Sequence, residues 1–514
     1  MQQTRNEIAP ARGYSLRNAG GIGVFMALLD EFRATVGADD TVAGLRAGLI
    51  GDDVVIDGPF GPVPMIYADY VASGRALRQV EEFVMTRVLP YYANTHTQAS
   101  FVGAYCSRLR AEARACVADL VGAGPGYSTI FAGSGSTAGL NRLVGLLDIA
   151  GIIARGGRAV VVIGPYEHHS NILPWRESGA AVIEIPEAAT GGPDLQVLDA
   201  VLARHAGADL LVGSFSAASN VTGILTDTDA ATRILRAHGA VAIWDYGAAA
   251  PYVPMSMQAG TDAAKDAIVF SPHKFPGGPG ASGVLVVRDA IARRATPTLP
   301  GGGTVSFVSP WGHAYATSLC AREEGGTPNV IGDIRVALAM IAKQALGQEF
   351  ITARGRVLRD RALAVWRKNP AIQMMAPDAP TDSLPILSFR IRDGQGGLVH
   401  HQLFTRMLSD IHGVQARGGC ACAGSYAHRL LGIDRAQSDD LFDRIARGHD
   451  TEKPGWVRLN FSALLDDAKA DRIIHAVDDL ARNAVRWAAL YQGDAATSRF
   501  TVRDAAEQAL VPTA

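Results

Sequence analysis

Short apolar runs recur through the middle of this chain, each followed by a polar stretch with helical spacing. Strands are predicted over 128–132, 159–163, 181–185, 209–213, 240–244, 267–270 and 283–287. Amphipathic stretches such as 137–150 and 228–238 lie between them. A helix over 101–121 follows from the recurrence of Val102, Tyr105, Leu109, Ala113, Cys116 and Leu120. Alternation of strand and helix at this spacing predicts an α/β protein with a mostly parallel, seven-stranded sheet covered on both faces. In such sheets ligands bind beyond the carboxyl ends of the strands.

The pattern changes towards the C-terminus. A helix over 331–346 leads out of the sheet region. Strands at 386–391 and 457–461 then flank helical segments at 398–411 and 435–447. Ile473, Val477, Leu480, Ala484 and Trp487 mark a closing helix. The expected organisation is an N-terminal arm over 1–62, a large domain over 63–335, a smaller α+β domain over 336–492 and a tail over 493–514. The arm is polar, then helical, then turn-rich around 57–62, and carries no catalytic constellation. The Gly-rich stretch 300–304 is expected to be an active-site loop.

Composition narrows the function classes. The chain has 514 residues and a net charge of −2, with basic residues scattered, so no nucleic-acid partner is expected. The longest N-terminal apolar run, 22–29, is too short to span a membrane. Five cysteines (Cys106, Cys116, Cys320, Cys420, Cys422) form neither a paired framework nor a zinc pattern. A reducing, cytoplasmic setting is expected. Cys106 and Cys116 read as ordinary helix residues.

The polar motifs fall just after the predicted strands. After 267–270 comes Ser271-Pro272-His273-Lys274, then a Gly/Pro run that continues neither strand nor helix. Of the chain's six lysines, only Lys274 stands on a turn off a buried strand, where an amine is desolvated enough to act as a Schiff-base nucleophile. After 128–132, Gly133-Ser134-Gly135-Ser136-Thr137 opens a helix; backbone amides and the Ser136 and Thr137 hydroxyls suit a phosphate there. An N-capped tight turn would use the same residues. After 159–163, Glu167-His168-His169 offers a flat imidazole to stack on an aromatic ring; two adjacent histidines make a poor metal pair. Ser219-Asn220 follows 209–213, and Asp245 follows 240–244. A carboxylate at a buried strand end needs a partner, and a pyridinium nitrogen is one.

This succession resembles a fold-type I, class V aminotransferase-family enzyme of the cysteine desulfurase and selenocysteine lyase branch, from about residue 66 to 490. The resemblance implies pyridoxal phosphate as cofactor. Lys274 would form the covalent link, Asp245 would pair with the ring nitrogen, and His168 would stack on the ring. Ser136, Thr137, Ser271 and His273 would hold the phosphate, with Asn220 beside cofactor and substrate. Thr327 matches a residue that family members lend to the partner subunit's phosphate, which implies a homodimer. Arg458 matches the arginine that receives the substrate carboxylate. Cys422, in Arg417-Gly418-Gly419-Cys420-Ala421-Cys422, falls at the persulfide-forming position. A thiolate there would take sulfur from L-cysteine, leaving alanine and a Cys422 persulfide for a sulfur-acceptor protein. Cys420 is either a bystander or a partner for oxidised Cys422.

Two departures from the desulfurase pattern stand out. Ala248 occupies the place of a glutamine three residues after the cofactor aspartate, and the residues before Cys422 differ from the histidine-containing form. The same cofactor site also serves an aminotransferase, a C–S β-lyase or an epimerase, and the fold is compatible with a non-catalytic protein. Dependence of turnover on Cys422 separates the desulfurase reading from these others.

Overall fold

The computed structural model describes residues 28–504, apart from 38–39, 96, 377–379 and 381. Seven strands form the central sheet: β1 (Tyr127–Gly133), β2 (Ala159–Ile163), β3 (Ala181–Glu184), β4 (Leu210–Ser216), β5 (Val241–Asp245), β6 (Ala267–Phe270) and β7 (Gly283–Arg288). Their order across the sheet is β1-β7-β6-β5-β4-β2-β3, and only β7 runs against its neighbours. β2, β4 and β6 are buried at every position, so their side chains are apolar or internally satisfied rather than alternating.

The strand that most outruns its expected span shows why. β4 continues through Ser214-Phe215-Ser216, where an apolar pattern stops. The hydroxyl of Ser214 donates to Asn171 Oδ1 (2.5 Å), and that of Ser216 donates to Glu167 Oε2 (2.5 Å). Buried hydroxyls satisfied in this way cost little, so the strand extends to the level of the motif loops.

Helices cover both faces. α1 (Phe101–Leu120) and α3 (Val330–Leu346) pack on one side, and both Cys106 and Cys116 are buried in α1. α2 (Gly135–Leu146) lies on the other side, with Leu140, Leu143 and Leu146 fully buried against β1, β6 and β7 residues. The amphipathic stretch expected over 137–150 is broken at Asp148, whose φ of 53° ends the helix run, and a short helix Ile149–Ala154 follows. The span 135–154 is apolar and long enough to cross a membrane by composition, but it is this broken pair lying on the sheet.

The second body is a five-stranded antiparallel sheet: β8 (Ile372–Met374), β9 (Ile386–Arg392), β10 (Arg417–Gly419) and β11 (Trp456–Asn460) in the order β8-β9-β11-β10, with Leu398–Val399, expected as the start of a helix, pairing with the end of β9. α4 (Gln348–Trp366), α5 (His401–His412) and α6 (Asp467–Arg482) cover it, around a core containing Trp366, Phe389, Phe404, Leu459 and Ile473. α3 belongs to the large core along its whole length, so the expected 335/336 boundary falls inside a helix that does not change surroundings there. Leu29, Phe32, Val36, Leu45 and Leu49 also join the large core; residues 1–27 of the arm lie outside the described residues. Of the tail, Arg499–Val502 pairs with Tyr491–Asp494, and 505–514 lie outside the described residues.

Because β7 reverses beside β6, the segment 271–282 must turn back at one end of the sheet. It does so through a 3₁₀ turn, Pro272–Lys274, and then Pro276-Gly277-Gly278. A methyl group on Gly278 would sit 1.9 Å from the Pro272 carbonyl oxygen, so no side chain fits without moving the backbone beside Lys274. Gly278→Ala is expected to destabilise the protein by about 2 kcal/mol or more, read as a lower thermal unfolding midpoint. An unchanged midpoint would show that the return segment gives way freely.

Candidate active site

The carboxyl ends of β4, β5 and β6 and the loops after β1 and β2 face the small sheet across a cavity of about 240 Å³. Its lining includes Ser136, Thr137, His168, Asn220, Asp245, Ser271, His273, Lys274, Cys422 and Arg458. Ten expected site residues therefore meet in one place, although they span 323 positions from Ser136 to Arg458, both ends counted (458 − 136 + 1). Thr327 is exposed, on the loop before α3, and is not in this lining.

Asp245 ends β5 and is 6% exposed. Burial raises its pKa, opposed by the Gly247 N–H that donates to Oδ1 (2.7 Å) and by the charge of Lys274. Lys274 stands one strand over, and burial lowers its pKa to about 8, opposed first by Asp245. Each group's charge opposes the shift that burial imposes on the other.

The loop after β1 forms an anion cradle at the start of α2. Gly135 has a φ of 59°, and a Cβ there would meet Ser271 Oγ at 2.7 Å and His273 Cε1 at 3.3 Å. The Ser136 N–H donates to Ser271 Oγ (2.9 Å), the two serine hydroxyls lie 3.1 Å apart, and the helix N-terminus adds favourable field. Burial lowers the His273 pKa to about 4 and the His168 pKa to about 3, so both rings are neutral. Ser170 N–H donates to His168 Nδ1 (3.1 Å), and the Ser170 hydroxyl lies 2.7 Å from that of Thr137. This chain of contacts fixes the ring and its tautomer.

These residues fit pyridoxal phosphate. The cradle of small residues and hydroxyls suits the phosphate. The buried Asp245 carboxylate suits a protonated ring nitrogen. Asn220 Oδ1 is a buried acceptor with no partner among the described residues, while its Nδ2 donates to Ala421 O (2.8 Å). Ala248 lines the cavity where desulfurases carry glutamine, leaving a methyl group in place of an amide.

Several groups that matter here escaped the sequence reading. Asp69 accepts from Arg458 Nη2 (3.1 Å) and from Arg417 Nε (2.9 Å), two residues paired across β10 and β11. Arg458 also donates to Asn220 O (3.1 Å), and its Nε is buried with no partner among the described residues. Arg417 is thus engaged by a carboxylate rather than free beside Cys422. Asp69 is a lone carboxylate in 65–70, and no local pattern connects it with arginines more than 340 positions away. Glu167 is buried, raised to about 7 by desolvation, and accepts from Ser216 and Asn171, tying the loop after β2 to the end of β4.

His169 is the other. Its N–H donates to Cys422 O (2.8 Å), and its Nε2 accepts from Gly424 N–H (2.8 Å). The second histidine of the pair therefore holds the cysteine loop while the first faces the cavity. Adjacent residues pointing apart was the visible signal; their separate duties were not.

A family model described as aminotransferase class-V matches residues 66–438. A cysteine desulfurase of Enterobacter sp. is 30% identical over 368 residues, 70% of this chain and 85% of that protein. A probable cysteine desulfurase of Vibrio cholerae is 28% identical over 420 residues, 80% of this chain and 93% of that protein. Among solved structures, an apo cysteine desulfurase from Thermococcus onnurineus superposes with a TM-score of 0.67 at 22% identity, covering 82% of this chain and 95% of its own. The cysteine desulfurase CsdA from Escherichia coli gives 0.66 at 22% identity, covering 87% and 100%. These structures share the fold.

Two measurements test this geometry. His169→Ala removes the acceptor for Gly424 N–H, so amide exchange there is expected to quicken roughly ten-fold, the ~1.4 kcal/mol of one buried hydrogen bond. Unchanged exchange would mean the loop is held by something else. The folded-state pKa of His168 lies below that of the unfolded chain, so its contribution is present above pH ~6.5 and is lost as pH falls toward about 3. Between pH ~7.5 and ~5 the wild type should lose more stability than His168→Phe, by up to about 1 kcal/mol per pH unit. Equal losses in thermal unfolding would contradict the burial of a neutral ring.

Proposed function

This chain belongs to the aminotransferase class-V family of pyridoxal phosphate-dependent enzymes, and from that premise we propose that it removes sulfur from L-cysteine, giving alanine and a persulfide on Cys422. One observation carries the reading: Cys422 lines the same cavity as Lys274, Asp245, His168 and Arg458. The names of the relatives, cysteine desulfurases over most of their lengths, support it.

Each residue has a task that its surroundings suit. Ser136, Thr137, Ser271 and His273 would hold the cofactor phosphate, Asp245 its ring nitrogen, and His168 its face. When bound, the cofactor supplies an electron sink for the substrate's α-carbon. Lys274, with a pKa lowered to about 8 by burial, both takes and returns a proton near neutral pH. Arg458 is rigidly held by Asp69 and Asn220, and its buried Nε is a donor still to be matched by a carboxylate. Cys422 is the nucleophile: its thiolate bonds to the substrate sulfur as the carbon–sulfur bond breaks, and alanine departs.

A homodimer accompanies this reading. Thr327 is exposed and outside its own chain's cavity, which suits a residue lent to a second subunit's phosphate site. A sulfur-acceptor protein would approach the exposed Cys422.

The decisive experiment compares wild type and Cys422→Ser with L-cysteine and a reductant, quantifying alanine, pyruvate and sulfide. Alanine formation is expected to fall by about a hundred-fold or more in the variant while the bound-cofactor absorption stays. Lys274→Ala should lose both. Pyruvate as product, or turnover indifferent to Cys422, would instead identify a β-lyase or aminotransferase.

A further inference from the structure

The loop that carries Cys422 holds a second thiol in an unusual turn. Ala423 N–H donates to Cys420 O (3.1 Å), closing Cys420-Ala421-Cys422-Ala423 into a β-turn. Ala421 and Cys422 both have a φ of 55°. Two left-handed central residues define a type I′ turn, which normally takes Asn and Gly; each L side chain there costs about 1 kcal/mol. Three contacts sustain the conformation: Asn220 Nδ2 to Ala421 O, His169 N–H to Cys422 O, and Gly424 N–H to His169 Nε2. Strain maintained by fastening from a neighbouring domain points to a required geometry.

That geometry sets two thiols in different surroundings at short range. Cys422 is exposed and lines the cavity. Cys420 is half-buried, packed against the cluster of Tyr166, Tyr426 and Trp456, and is not in the cavity lining. Residues two apart in a tight turn fall within the Cα separation that a disulfide spans, about 4.4–6.8 Å. Both are free thiols. The other cysteines are remote: Cys106 and Cys116 lie in α1, and Cys320 donates to Thr129 O.

We infer that Cys420 is a resolving thiol, which discharges the Cys422 persulfide as free hydrosulfide by closing a Cys420–Cys422 disulfide. The inference rests on the desulfurase reading above. Cys420 gives its proton to water, and its thiolate attacks Cys422 Sγ. The new bond joins the two cysteine sulfurs, the bond from Cys422 Sγ to the sulfane sulfur breaks, and that sulfur leaves as hydrosulfide with the electron pair. The outer sulfur is reduced to hydrosulfide and Cys420 Sγ is oxidised, while Cys422 Sγ exchanges one sulfur–sulfur bond for another. A thiol or dithiol reductant must then reopen the disulfide before another cycle. Cys420 is kept from the substrate by its burial, yet lies beside the persulfide once that has formed.

The test gives the holoenzyme one equivalent of L-cysteine per subunit without other reductant, then traps thiols with iodoacetamide. In the wild type we expect alanine and hydrosulfide in equal amounts, and a peptide containing Cys420 and Cys422 that is two hydrogens lighter than the dithiol. Cys420→Ser and Cys420→Ala should form alanine in the same amount, keep the extra sulfur on Cys422, and release hydrosulfide roughly ten-fold or more slower. Wild type that keeps the persulfide with Cys420 alkylated would overturn the inference and leave the desulfurase reading standing. So would variants that release hydrosulfide as fast as wild type. Absence of alanine from every form would overturn both.

Discussion

Everything in this site depends on the mutual restraint of Asp245 and Lys274. Asp245 is buried and Lys274 half-buried at the carboxyl end of the sheet, on neighbouring strands or just beyond, and desolvation disfavours the charge of each. The charge of each opposes the shift that burial imposes on the other, and the Lys274 amine is brought down to about 8. The sheet makes this possible, because β5 and β6 are paired in register from Ile243 with Ala267 to Asp245 with Val269. The strand geometry therefore sets the electrostatics directly. The seven-stranded core, the buried hydroxyls of β4 and the tight return after Lys274 all serve to hold that pair at the floor of the cavity.

Around this fixed half, the small domain supplies a second set of groups through polar contacts across the cleft. Asn220 holds Ala421 and Arg458, and His169 holds Cys422 and Gly424, while Asp69, on a segment paired with Val414-Gln415, joins Arg417 and Arg458 from the small domain's own side. The large domain carries the groups suited to a cofactor. The small domain carries Arg417, Cys422 and Arg458. Charged contacts of this kind are weak in water and strong in a shielded cleft, so the two halves are joined most firmly where solvent is excluded.

The strands were readable because each is a short apolar run bounded by Gly, Pro or polar motifs, and six of the seven were expected within a residue or two of their observed ends. β4 was expected too short because Ser214 and Ser216 look like a loop until their partners, Asn171 and Glu167, are in view. The site residues on the large domain follow strands one after another, which made Lys274, Asp245 and His168 legible from order alone. Asp69, Glu167 and His169 were not. Their importance comes from contacts with distant segments, and nothing in their immediate neighbourhood announces it. The left-handed backbone at Ala421 and Cys422 was equally hidden, since neither residue type favours it.

The reversed strand β7 has a wider meaning for how this protein tolerates change. Lys274 lies in a closed return whose two ends are adjacent strands of one sheet, so its position is anchored on both sides. The cysteine loop instead leaves β10, the edge strand of the smaller sheet, and is held at the cavity by hydrogen bonds to Asn220 and His169 rather than by strands on both sides. Substitutions and length changes will therefore accumulate on the cysteine side far more readily than around the lysine. The scaffold is conservative where the cofactor would sit and permissive where the sulfur would go, so new reactions on this framework should arise by rebuilding the loop around Cys422.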